Sequence, residues 1–214
     1  MNGLLTSLMG ATAQGVLWGI MALGVYITYK LLKISDLTVD GSFALGGCVC
    51  AVLILGGMSP ALATLIAIIA GLAAGAVTGI LHTVFNIPAI LSGILTQISL
   101  WSINLRIMSG KSNLPLLNSE TIISFFVGRS GSSTIESASG FAKALGMTQS
   151  TASLVIGIVI AVVIVAILYW FFGTELGCSL RATGCNPNMS RAQGINTDFC
   201  KVLGLMISNG LVAL

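Results

Sequence analysis

The sequence predicts an all-α polytopic membrane protein: a helical bundle with a discontinuous second segment and a polar two-helix loop towards its C-terminal end. Three observations carry that expectation. Of 214 residues, 56% are hydrophobic and 7% charged, whereas charged residues make up about a quarter of a soluble domain. The apolar residues gather in runs close to the roughly 20 that a helix needs to cross a bilayer. The stretches between them carry helix start and stop signals.

Composition also excludes classes of function. A net charge of +3 is too small to suggest a nucleic-acid partner. The five cysteines do not form a disulfide framework, because Cys48 and Cys50 lie in an apolar run and Cys178, Cys185 and Cys200 in the polar loop; they read as reduced thiols. There is no GxxxxGK[ST] phosphate loop, HExxH pair or G-x-S-x-G elbow, so the chain does not read as an enzyme.

The first span is 8–29. No basic region precedes Leu8, which makes this a retained helix rather than a cleaved signal. Gly15 and Gly19 have the small-xxx-small spacing that admits a neighbouring helix. Lys30 and Lys33 follow, and by the positive-inside rule they put that end in the cytoplasm and the N-terminus outside.

The second span, 40–57, is unusual. Its uninterrupted apolar run, Phe43 to Leu55, is short of a bilayer's width unless Asp40 is drawn in. A charge near membrane depth costs about 2.5–3.5 kcal/mol on insertion scales, so it should face protein or water. The expectation is a discontinuous or re-entrant helix beginning with Asp40, Gly41 and Ser42; the simpler alternative makes Asp40 the N-cap of an ordinary helix.

The third span, 61–84, repeats Gly71, Gly75 and Gly79 along one face, a ridge for close helix packing. His82, the only histidine, has no partner at metal-ligand spacing and reads as interfacial. Asn86-Ile-Pro88 breaks the chain before the fourth span, 89–108, which is the most polar. Ser92, Thr96, Ser99 and Arg106 fall near one face, flanked by Gln97 and Asn104. Such groups line a translocation path or hydrogen-bond between helices; both readings fit the pattern.

The longest loop, 109–149, is read as external, with a short helix capped by Asn118 and a capping box at Ser133 and Glu136 opening a helix that ends near Gly146. The fifth span, 153–172, is continuous and rich in Val and Ile, with Tyr169 and Trp170 as an interfacial belt, and reads as facing membrane lipid. The polar segment 173–201 then punctuates itself. Leu176 to Thr183 would stop at Gly184 as a left-handed C′ residue, and Asn186 caps a second helix with Pro187 first and Gly194 as its stop. The last apolar segment, 202–214, has run 13 residues when the sequence ends, which reads as a helix cut in mid-membrane.

The pattern Gly177-x-x-x-Arg181-Ala-x-Gly184-x-Asn186, followed by Ala192-x-Gly194-Ile195, resembles the cytoplasmic coupling loop of bacterial ATP-binding cassette importer permeases of the branched-chain amino acid and ribose type. Asp36-Leu-Thr-Val-Asp40-Gly-Ser-Phe and Ile87-Pro-Ala-Ile-Leu-Ser-Gly-Ile-Leu are similar to the members assigned to aromatic amino acids such as tryptophan. The resemblance implies a permease subunit in the bacterial plasma membrane, working as a homodimer with an external substrate-binding protein and a separate ATPase that holds ATP and Mg, while this chain binds no cofactor. It implies that Glu175, Arg181, Asn186 and Arg191 meet the ATPase. With the polar residues above, it makes Asp40, Ser92, Thr96, Gln97, Ser99 and Asn104 the candidate substrate path. A gradient-coupled secondary carrier with its site at the broken helices is the alternative; a scaffold without transport would not need the polar fourth span.

Overall fold

The computed structural model describes residues 2–111, 113–115 and 149–214. The helices expected after Asn118 and between Ser133 and Gly146 lie outside the described residues.

Helix α1, Asn2–Tyr26, passes without a break into a π-helical turn, Ile27–Leu31. Two wide hydrogen bonds shape this end, from Leu32 N–H to the Ile27 carbonyl (3.2 Å) and from Ile34 N–H to that of Thr28 (3.0 Å). Lys33, at φ 56°, then turns the chain back towards the bundle. Helix α2, Val39–Leu55, returns beside α3, Pro60–Thr83, which starts with its proline in the first turn where a missing N–H costs nothing. Asn86, at φ 55°, makes the corner into α4, Ala89–Ile107, and His82 Nδ1 braces it 2.8 Å from the Ile87 carbonyl. Helix α5, Gln149–Gly173, is followed by the short α6, Glu175–Cys185, and α7, Pro187–Ala192, and then by α8, Thr197–Val212.

Among the described residues, four stretches are long and apolar enough to cross a membrane: Ser7–Leu31, Pro60–Thr83, Ala89–Ile107 and Leu154–Gly173. There is no strand among the described residues. The protein is an all-α, multi-pass membrane protein.

The centre of the bundle is α8. It begins at Thr197, five residues before the apolar run starts at Val202, because Asn196 accepts a capping bond from Phe199 N–H (3.1 Å). It lies along α3, touching α1, α2 and α6 as well. The Gly71, Gly75, Gly79 ridge is the floor of that contact: a Cβ on Gly75 would run into the Leu205 carbonyl, and one on Gly79 would lie 2.9 Å from Val202 Cα. On the opposite side, Ser208 Oγ donates to the Gly24 carbonyl (2.6 Å), another backbone-to-backbone approach. In lipid, where burial of apolar surface does not drive helices together, such close packing and hydrogen bonding supply the association.

Gly15 and Gly19 behave otherwise. Both are exposed and, among the described residues, a Cβ on either would meet nothing within 4 Å, so the described helices do not make the contact expected at this pair. Spacing allows close approach; it does not supply the second helix. Helix α5 packs on α1 and turns Val159, Val162, Ile167 and Tyr169 outward, the surface that lipid tails and an interface require.

Replacing Gly75 by Leu forces α3 and α8 apart and is expected to destabilise the protein by about 1–3 kcal/mol or more, read as a lower melting midpoint in detergent. Gly15→Ala is expected to stay within about 0.5 kcal/mol of the parent in the same measurement.

Candidate functional site

Between the π turn and α2 the chain is not helical, and this stretch enters the bundle. Gly93 of α4 packs against the backbone of Leu37, and Gly41 against Gln97 and Leu100. The first turn of α2 therefore stands beside Gln97 rather than Ala89, roughly 12 Å along α4 at 1.5 Å per residue. Irregular backbone at such depth is tolerated only where protein or water satisfies it.

Here the satisfaction comes from side chains. Asp36 Oδ1 accepts from Thr38 N–H (2.8 Å), and its Oδ2 accepts from Asn209 Nδ2 of α8 (2.7 Å). Both polar atoms of the Asn209 amide are engaged: Nδ2 also donates to the Leu205 carbonyl (3.0 Å), and Oδ1 accepts from the Ser42 hydroxyl (2.7 Å). The hydroxyls of Thr38 and Thr78 lie 2.9 Å apart, pinning the lead-in to α3. Thr38, Ser42, Thr78 and Asn209 are all buried. The carboxylate that organises the break is thus Asp36, four residues ahead of the one singled out from sequence.

Asp40 has a different place. It is not an N-cap, since Thr38 occupies that position with helical backbone and no side-chain capping bond, and Asp40 sits exposed in the first turn. There its charge complements the helix N-terminus. It borders a cavity of about 370 Å³ between α2 and α4, shared with Gln97, Trp101, Asn104, Met108 and Lys111. That volume lies within the roughly 300–1,000 Å³ of small-molecule sites. Asn104 is only 6% exposed, and its Oδ1 has no hydrogen-bond partner among the described residues.

Of the six residues assigned to a path, the structure brings Asp40, Gln97 and Asn104 together around this cavity. Ser92, Thr96 and Ser99 are not among its walls. Ser92 and Thr96 are buried and donate to the Ala89 and Ser92 carbonyls within α4 (2.8 and 2.9 Å), while Ser99 is exposed and donates to Leu95 (2.8 Å). The buried face of α4 carries Ser92, Gly93, Thr96, Leu100 and Asn104, and only the last of these also borders the cavity.

The second feature is the α6–α7 knuckle. Thr174 caps α6 by accepting from Gly177 N–H, and Arg181 Nη2 donates to the Phe172 carbonyl at the end of α5 (3.0 Å). Gly184 is not a left-handed stop. It remains helical and buried, because a Cβ there would overlap the Leu31 carbonyl of the π turn. Helix α6 runs on to Cys185, and Asn186 both ends it and caps α7, accepting from Met189 N–H (3.1 Å). Gly194, at φ 85°, follows α7 as a left-handed turn. Arg191 then joins α7 to α8: Nε donates to Thr197 Oγ1 (2.6 Å) and Nη2 pairs with Asp198 (2.8 Å). Glu175 and Arg181 stay on the exposed face.

Residues 7–214, spanning both cavity and knuckle, match the model of the family described as branched-chain amino acid transport system / permease component. The chain belongs to this permease family. It is 39% identical over 210 residues to a tyrosine transport system permease protein of Clostridioides difficile, covering 98% of this chain and 63% of that one. It is 34% identical over 214 residues to an uncharacterized protein of Rickettsia prowazekii, covering 100% of this chain and 66% of that one. The chain thus spans less than two thirds of the length of these curated relatives. No solved structure matches it.

Among the described residues of this permease, Asp36 is structural and Asp40 is free. Asp36→Ala leaves Thr38 N–H and Asn209 Nδ2 without their acceptor and is expected to cost about 1–3 kcal/mol. Asp40→Asn is expected to shift stability by less than about 0.5 kcal/mol. Thermal unfolding of the two purified variants side by side checks both.

Proposed function

We propose that this chain is the membrane-spanning permease subunit of an ATP-driven importer of amino acids, acting as a dimer with separate ATPase subunits and an external substrate-binding protein. ATP and Mg belong to the ATPase. The observation that carries the reading is continuity: Arg191 fastens the knuckle to the first turn of α8, and Asn209 fastens the far part of α8 to Asp36 and Ser42 at the mouth of α2. Movement imposed on the knuckle thereby reaches the α2–α4 cavity through one helix.

In this reading the knuckle, with Lys30, Lys33, Arg181, Arg191 and Lys201 at the same end, faces the cytoplasm of a bacterial cell, and the N-terminus lies outside. Glu175 and Arg181 meet the ATPase, while Asn186 and Arg191 give the knuckle its shape. Substrate passes through the cavity walled by Asp40, Gln97 and Asn104. A carboxylate, two amides and an indole suit the ammonium and ring of an aromatic amino acid, and the name of the C. difficile relative points the same way.

A second reading, a gradient-coupled carrier, draws on the broken entry to α2 with carboxylates at Asp36 and Asp40. One experiment separates the two. Full-length permease purified from its native membrane is expected to bring an ATPase subunit with it, and the Glu175→Arg, Arg181→Glu variant to lose that subunit while staying folded. Intact permease without any ATPase, and uptake that follows an ion gradient, would overturn the importer reading.

A further inference from the structure

The π turn at the end of α1 is held from outside rather than by its own sequence. Ile27-Thr-Tyr-Lys-Leu31 contains neither proline nor glycine, and continued α-helix would be the more favourable local form. Yet Leu32 N–H reaches past Thr28 to the Ile27 carbonyl. What holds the wide turn is α6. Gly184 lays its bare backbone on the Leu31 carbonyl, where any Cβ would overlap it. Leu180, fully buried, packs in one cluster with Ile27, Leu32, Ile34 and Leu205 of α8, and Gly204 of α8 leaves room for both Leu32 and Leu180. Single π turns within helices are rare and occur frequently at functional sites.

We propose that the π turn is a two-state element that couples the α6–α7 knuckle to the entry of α2: it keeps the wide register while α6 is seated on it and returns to α-helical register when α6 withdraws. The inference rests on the reading of the knuckle as the part that a partner moves, and it names the contact that feels the movement first. In α-helical register Leu32 N–H bonds the Thr28 carbonyl instead, and Leu32 with all that follows advances about 1.5 Å and about 100° around the axis. The lead-in has no slack for this. Asp36 follows closely and is tied to Asn209 and to Thr38 N–H. Lys33, between them, already stands at φ 56°, a left-handed conformation that lysine rarely adopts. A change of register therefore draws Asp36 from Asn209 and moves the first turn of α2, which brings Asp40 and Gly41 to the wall of the α2–α4 cavity. Packed elements with two discrete arrangements pass small shifts on in this way.

The test is hydrogen exchange of purified full-length permease, without nucleotide or partner, read by mass spectrometry on the lead-in. Gly184→Ala puts a methyl group on the Leu31 carbonyl and lifts α6 from the turn. It is expected to speed exchange over residues 33–38 by about fivefold or more. Maleimide modification of Cys48 on the cavity wall rises with it, while α3 around Gly75 keeps its protection, which a general loss of folded protein would not allow. Deleting Tyr29, which is exposed, removes the additional residue and makes the turn α-helical with the lead-in left in place. In that background no second register remains, and Gly184→Ala is expected to change exchange by less than about twofold.

A lead-in that keeps its parental exchange in Gly184→Ala overturns the inference, and so does an equal rise in the Tyr29 deletion, which would show damaged packing rather than a change of register. Should the deletion not fold, Leu180→Ala withdraws the other contact of α6 and is expected to give the same pattern as Gly184→Ala; a rise confined to α6 overturns the inference. The importer reading fails separately. A permease that purifies without an ATPase removes that reading and leaves the coupled register standing, whereas an ATPase-bound permease whose lead-in ignores Gly184→Ala does the reverse.

Discussion

Asn209 commits both N–H donors and the oxygen of its amide to three different parts of the chain, namely the Asp36 carboxylate, its own helix at Leu205 and the Ser42 hydroxyl. An open peptide segment inside a bilayer has no water to turn to, and each unsatisfied group there costs several kcal/mol. The lead-in to α2 is admissible only because this amide, with Asp36 and the paired Thr38 and Thr78, stands in for the solvent. Without it α2 could not begin beside Gln97, and the cavity bordered by Asp40 and Asn104 would lose one of its walls.

The same need for close contact explains the glycines. A hydrogen bond from α8 to α2 requires α8 to lie deep in the bundle, and it can do so only where α3 offers Gly71, Gly75 and Gly79 and α1 offers Gly24. Small residues on α8 itself, Gly204, Ser208 and Gly210, return the fit against Leu32, Gly24 and Leu72. Polar satisfaction and backbone proximity are therefore one arrangement. This helix is central because its small residues let its neighbours close around it.

Much of this was legible locally. Apolar run length foretold the membrane helices, Pro60 and Pro88 their starts, Asn186 and Gly194 the ends of α7, and the Gly71 ridge its role as a packing face. What escaped depends on partners distant in sequence. Nothing near Asp36 announces an amide 173 residues away, so the more conspicuous Asp40 drew attention instead. Gly184 reads as a stop because glycine serves stops and tight contacts alike, and only the Leu31 carbonyl decides between them. Ser92, Thr96 and Ser99 share a helical face, yet their hydroxyls donate back to the preceding turn and lie outside the walls of the cavity, which spacing alone does not reveal.

The ion pair between Arg191 and Asp198 is half open to solvent, 57% and 49% exposed, where such pairs hold only weakly. The other end of α8 is locked by buried bonds and backbone contact. Mechanically this is a rod with a compliant joint at the knuckle and a clamped seat inside the bundle. The weaker of the two fastenings is therefore the one at the protein's surface.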